Sequence, residues 1–139
     1  KKKIKIQTIS LKELIKKTFI PDFIRMDIEG YEEKVLSDLS QLKLEEYPIV
    51  CFETHLTKYR KMESVLERLF KKGYKVKYAS SSFENGSLKL NNLGYKPVLK
   101  NIKTDDVKRN IYENINNRDA INLICKSGGL RTVLISTKN

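Results

Sequence analysis

The sequence predicts an α/β domain built on a parallel sheet, and three observations carry that expectation. The first is the apolar run Phe23, Ile24, Met26 and Ile28, fit for a strand buried on both faces and stopped at Asp27-Ile28-Glu29-Gly30. The second is a like run, Ile49–Phe52, that ends in Glu53-Thr54-His55. The third is that each run leads into helical spacing. The helix begun by Tyr31 packs through Val35, Leu36 and Leu39. The stretch Thr57–Lys72 sets Met62, Val65, Leu66, Leu69 and Phe70 on one face, with Gly73 as its stop.

The other elements follow in order. Ile4 and Ile6 alternate with polar residues, so Lys3–Thr8 reads as a strand. Ser10 caps a short helix, Leu11–Lys17, with Glu13 completing a capping box and Leu11, Leu14 and Ile15 as its apolar stripe. Phe19-Ile20-Pro21 leads into the central strand, and Tyr47-Pro48 introduces the next. Val76 and Tyr78 begin another strand. Ser80–Ser87 reads as a loop whose Asn85-Gly86 turns a hairpin into Leu88–Leu90. After a turn at Asn91–Gly94, Thr104 caps a polar helix running to about Ile115, on the spacing of Val107, Ile111 and Ile115. Ala120–Lys126 reads as a strand, Gly128-Gly129 as a turn and Thr132–Ser136 as a closing strand. Residues 1–139 read as a single domain without repeats.

Strand alternation gathers a polar site at one edge of this sheet. Phe23, Arg25, Asp27 and Glu29 share one side of their strand, and Ile49, Cys51, Glu53 and His55 fall together on the next. If the strands are neighbours, Asp27, Glu29, Glu53 and the single histidine converge outside the carboxyl ends, where parallel sheets bind ligands. Asp27 and Glu53 are placed more securely than Glu29 and His55, since the alternation can break at the turn. The alternative role for Glu29 and Glu53 is to cap the helices that follow.

One resemblance bears on this site. Thr8-Ile9-Ser10-Leu11-Lys12-Glu13-Leu14, Asp22-Phe23-Ile24-Arg25-Met26-Asp27-Ile28-Glu29-Gly30-Tyr31-Glu32, Pro48–His55 and Leu69-Phe70-Lys71-Lys72-Gly73-Tyr74, in that spacing, resemble the C-terminal part of FkbM-type methyltransferases. Two positions depart: the family usually has Asp at Lys12 and Lys at Arg25, and the second change keeps charge but alters donor geometry. The resemblance covers about residues 4–80. It implies a Rossmann-like, three-layer methyltransferase fold in which the last strands are antiparallel, here Val76–Ala79 with Ala120–Lys126, leaving residues 80–118 as an insertion. It implies S-adenosylmethionine as cofactor. The family's glycine-rich cofactor loop and ribose-binding acid stand upstream of the matching blocks and outside these residues, so the expectation is a partial methyltransferase domain with cofactor-binding residues unassigned. The edge of the central strand would then be covered by Lys3–Thr8, by a second copy of the chain or by rearrangement.

Composition bounds the partners. The formal net charge is +11, which admits nucleic acid, acidic glycans or anionic surfaces. The lysines are scattered, however, and no aromatic–basic nucleic-acid motif appears. No apolar run approaches a membrane span and no export signal is visible; Cys51 and Cys125 lie in apolar runs as thiols without metal-ligand spacing, which fits the cytoplasm.

The chemistry expected of such a site is methyl transfer to a hydroxyl of a sugar, glycan or secondary metabolite. Asp27 is the candidate base or orienter and His55 the alternative base, with Glu29, Glu53 and Arg25 as acceptor-binding residues. The same carboxylates and imidazole would also suit magnesium or manganese, though no spaced ligand motif supports a metal site. A different class of function, a non-catalytic remnant binding a protein or nucleic-acid partner through its basic surface, rests on the net charge alone.

Overall fold

The computed structural model describes residues 3–83 and 85–139. Six strands form one mixed sheet: β1 (Phe23–Met26), β2 (Ile49–Glu53), β3 (Lys75–Ser81), β4 (Leu99–Thr104), β5 (Val107–Glu113) and β6 (Leu130–Ser136). Five helices accompany them: α1 (Leu11–Lys17), α2 (Glu32–Gln41), α3 (Met62–Lys71), α4 (Gly86–Asn92) and α5 (Asn117–Cys125). The α/β class holds. The strand order is β1-β2-β6-β3-β5-β4, with β1 parallel to β2 and every other pairing antiparallel.

The register of β1 on β2 is what builds the site. Phe23 stands opposite Ile49 and Met26 opposite Phe52, so Asp27 and Glu53 each come next, side by side at the carboxyl end. Met26, Val50 and Phe52 are buried, whereas Phe23 and Arg25 are exposed and Ile49 and Cys51 half-buried. The helices therefore cover one face, packing in a row of α1 on α2, α2 on α3 and α3 on α5. Among the described residues there is no helical layer on the opposite face, so these residues make two layers rather than the three that the resemblance implies. Leu36, Leu39, Leu66, Leu69 and Phe52 are at most 1% exposed. Each such side chain contributes about 1.5–3 kcal/mol through burial.

The first helix forms as the sequence predicts. Ser10 accepts from the Glu13 amide and Glu13 reaches back to the Ser10 amide, a complete capping box. Five other expectations need correction. Lys3–Thr8 pairs with no strand, and Ile4 and Ile6 are exposed; alternation alone makes no strand without an edge to join. The Thr57–Lys72 stretch is broken into a single 3-10 turn, Leu56–Lys58, and α3. The break comes because Glu33 accepts the amides of Arg60 and Lys61, both at 2.7 Å, and so caps α3 from α2. Asn85-Gly86 turns no hairpin. Asn85 takes a left-handed backbone, φ 53°, and Gly86 opens α4, where a Cβ would strike the Gly129 carbonyl and the Ser82 hydroxyl.

The remaining two corrections trade helix for strand and strand for helix. The expected helix from Thr104 is the β4–β5 hairpin, turned at Asp105-Asp106 with φ of 49° and 60°. A spacing of four is as compatible with one strand face as with a helix, so Val107 and Ile111 could not arbitrate. The expected strand Ala120–Lys126 is α5, capped by Asn116, which accepts from the Asp119 amide at 2.9 Å. Its buried Ala120, Leu123 and Ile124 follow helical spacing. The antiparallel partner of β3 is accordingly β6, with Val76 opposite Ile135 and Ala79 opposite Val133. Residues 80–118 extend the sheet beyond β3 through β5 and β4.

Candidate functional site

The turn after β1 is held from inside by a residue the strand pattern does not single out. Glu29 has φ 56° and Gly30 φ 101°, an unfavourable pair of left-handed residues for all but glycine. At Gly30 a Cβ would collide with the Lys58 side chain. Glu32, the first residue of α2 and fully buried, accepts the amides of Ile28 and Gly30, each at 2.8 Å. Those two charge-assisted bonds and the helix N-terminus offset the cost of burying the carboxylate and fix the strained turn.

His55 is positioned with equal care. Its amide donates to the Tyr59 hydroxyl at 2.9 Å, and that hydroxyl donates to the Glu53 carbonyl at 3.1 Å. Burial holds the Tyr59 phenol protonated, its pKa pushed well above the ordinary value, so it is a dependable donor. The imidazole lies with Nδ1 3.3 Å from Glu32 and Nε2 3.6 Å from Glu29, and is 12% exposed. Nδ1 is buried yet makes no aligned hydrogen bond, so Glu32 stands beside it without one.

Asp27, Glu29 and His55 thereby meet: one donor atom from each lies within 4.8 Å of the others. Asp27 and Glu29 face solvent, and His55 closes the inner wall. Glu53 stands next to them. Burial raises its carboxyl pKa, Arg131 opposes that rise, and the Asp27 carboxylate adds to it. Arg131 Nη2 approaches Glu53 to 2.7 Å, off the hydrogen-bonding directions, so the two charges touch without an aligned bond. Such a set of oxygens and one imidazole could order the hydroxyls of a polyol or take a hard cation at Asp27, Glu29 and His55.

Arg25 is not among the three residues that meet. It is exposed on the open sheet face opposite Cys51, where its charge moderates the rise that burial imposes on the Cys51 thiol. Neither Glu29 nor Glu53 caps a helix; Glu33 caps α3, and Glu32 takes the turn amides. The thiols are free and half-buried, with burial pushing Cys125 up to about 12. Glu32, Tyr59 and Arg131 are the site residues that strand periodicity misses. An acid two residues after the turn glycine is a signal for Glu32; Arg131, distant in sequence, has none.

Residues 1–76, more than half of the chain, match the methyltransferase FkbM domain family. The chain belongs to that family, and the class of activity it carries is methyl transfer. No curated protein and no solved structure matches it. Among the described residues, no helix is long and apolar enough to cross a membrane.

The cofactor that the family implies is S-adenosylmethionine. The amides of the turn after β1 are spent on Glu32, and no glycine-rich loop follows β1 or β2, so these two turns do not hold it.

Proposed function

We propose that the carboxylate–imidazole cluster is the acceptor side of an S-adenosylmethionine-dependent methyltransferase that methylates a hydroxyl group. The observation that carries this reading is the meeting of Asp27, Glu29 and His55 within 4.8 Å at the carboxyl ends of the adjacent parallel strands β1 and β2. A hydroxyl must lose its proton as its oxygen bonds to the methyl carbon and that carbon's bond to the donor sulfur breaks, so it needs a base within hydrogen-bond reach. Asp27 is accessible and rigidly placed by the register of β1 on β2, which suits it to accept that proton or to aim the hydroxyl. His55 is the second proton acceptor beside it. Glu29 and Glu53 orient neighbouring hydroxyls, a pattern that favours a sugar or another polyol. Arg25, on the open face, is the weakest member of this set.

The test is to incubate the protein with S-adenosylmethionine carrying a labelled methyl group and a panel of monosaccharides, uronic acids and sugar phosphates. Label recovered as a methyl ether supports the reading. Label recovered only on nitrogen or sulfur, or none transferred from donor that is shown to bind, overturns it.

A further inference from the structure

A second pocket, of about 360 Å³, borders the cluster on its β3 side, and its walls carry the opposite charge. Arg109 from β5, Lys89 from α4 and Arg131 from β6 line it, with Ser82, Ser127 and Gly129 between them. No acidic side chain is among its described lining residues. Arg109 is only 5% exposed. Its Nε donates to the Thr104 hydroxyl at 2.8 Å and its Nη1 to the Ser81 carbonyl at 3.0 Å. Both acceptors are neutral, and among the described residues no carboxylate pairs with this guanidinium. Lys89 Nζ donates to the carbonyls of Ser127 and Gly128, again neutral partners. Arg131 touches Glu53 through Nη2, while its buried Nε has no acceptor among the described residues.

Neutral acceptors aim Arg109 and Lys89 but do not neutralise them. A guanidinium buried to this degree is expensive unless an anion accompanies it, and the cavity that Arg109 shares with two other cations is where an anion would sit. Arg131 joins the two sites physically: one side lines this pocket and the other meets Glu53, next to Asp27. We infer that this pocket binds an oxyanion, a carboxylate or phosphate, carried by the acceptor whose hydroxyl lies at Asp27. The inference rests on the acceptor reading above for the identity of the ligand, and on the pocket alone for its charge. The planar guanidinium of Arg109 suits either oxyanion.

The experiment reads binding without needing methyl transfer. Glucose 6-phosphate, glucuronate and neutral methyl glucoside are titrated separately into the ¹⁵N-labelled protein, and amide shifts are followed at Ser82, Gly128 and Gly129. The two anions are expected to shift these amides saturably and the neutral sugar not to. The tighter of the two anions names the oxyanion. Lys89→Gln, at a half-exposed position that tolerates the change, is expected to weaken anion binding about tenfold or more. Arg109→Gln should abolish it, and Lys89→Gln carries the test if Arg109→Gln fails to fold. Equal shifts with methyl glucoside, or unchanged affinity in Lys89→Gln, would overturn the assignment. Glu84 follows Phe83 of the lining in sequence, so Glu84→Gln is the further control: anion binding seen only in that variant would mean that the protein supplies its own counter-charge, and would also overturn it. Anion binding without methyl ether formation would count against the acceptor reading alone; methyl ether formation without anion binding would count against this pocket alone.

Discussion

The two sides of the rim differ in how their charges are satisfied. At the ends of β1 and β2, carboxylates are held by amides: Glu32 takes two from the turn, Glu33 takes two from the start of α3, and His55 is fixed through Tyr59. Next door, Arg109 and Lys89 are held by neutral oxygens. On the acidic side, the turn and the start of α3 are held by hydrogen bonds to Glu32 and Glu33. On the basic side, no carboxylate pairs with Arg109 or Lys89 among the described residues. On the proposed reading, the acidic side is preorganised for hydroxyls, while the basic side is completed by what it binds.

Ways to break the contrast can be ranked. Glu32→Ala should have the largest effect, a loss of about 2–4 kcal/mol, because it leaves two part-buried turn amides without their acceptor and frees a left-handed turn. Glu32→Gln, which keeps one acceptor oxygen, should lose roughly half as much on the same scale. Urea unfolding of both variants checks this, and equal stability to the parent would show the turn to be self-supporting. Gly30→Ala comes next, at about 1–3 kcal/mol, since an alanine meets both the positive φ and the Lys58 side chain. On the other side, Tyr112→Phe removes the hydroxyl that donates to Asn91 at 2.9 Å. It should cost only about 1 kcal/mol and leave the acidic site untouched.

The smallest effect is a pH dependence. Burial, and after it the Asp27 carboxylate, raise the pKa of Glu53, while Arg131 opposes them. Between the ordinary carboxylate value and the raised one, the folded chain thus keeps a proton there that the unfolded chain releases. This contribution to stability is present below the ordinary carboxylate range and is lost as pH rises through the raised folded value. Glu53→Gln cannot ionise, so relative to the parent it should be more stable near neutrality than at pH 4. Unfolding midpoints at the two pH values provide the measurement; an identical difference at both would contradict the shift.

Legibility in the sequence follows the same division. Phe23–Met26 and Ile49–Glu53 are contiguous apolar runs with a turn glycine or proline beside them, so their pairing and the placement of Asp27 beside Glu53 could be anticipated. The edge elements could not be, because their identity depends on what they pack against. Ala120–Cys125 is apolar enough for strand or helix, and Asn116 decides by capping it. Val107 and Ile111 fit both periods, and two aspartates in left-handed conformation decide for a hairpin. Arg131 reaches Glu53 from a strand inserted between β2 and β3, a placement that no local pattern encodes.

The most direct test of the central claim compares Asp27→Asn with the parent in methyl transfer to the best acceptor of the panel, alongside circular dichroism and thermal unfolding. An exposed carboxylate made a carboxamide should leave the fold in place. The rate should fall by about 10²–10⁴-fold, the usual contribution of a positioned base. A folded Asp27→Asn variant that transfers methyl groups at the parent rate would contradict the account.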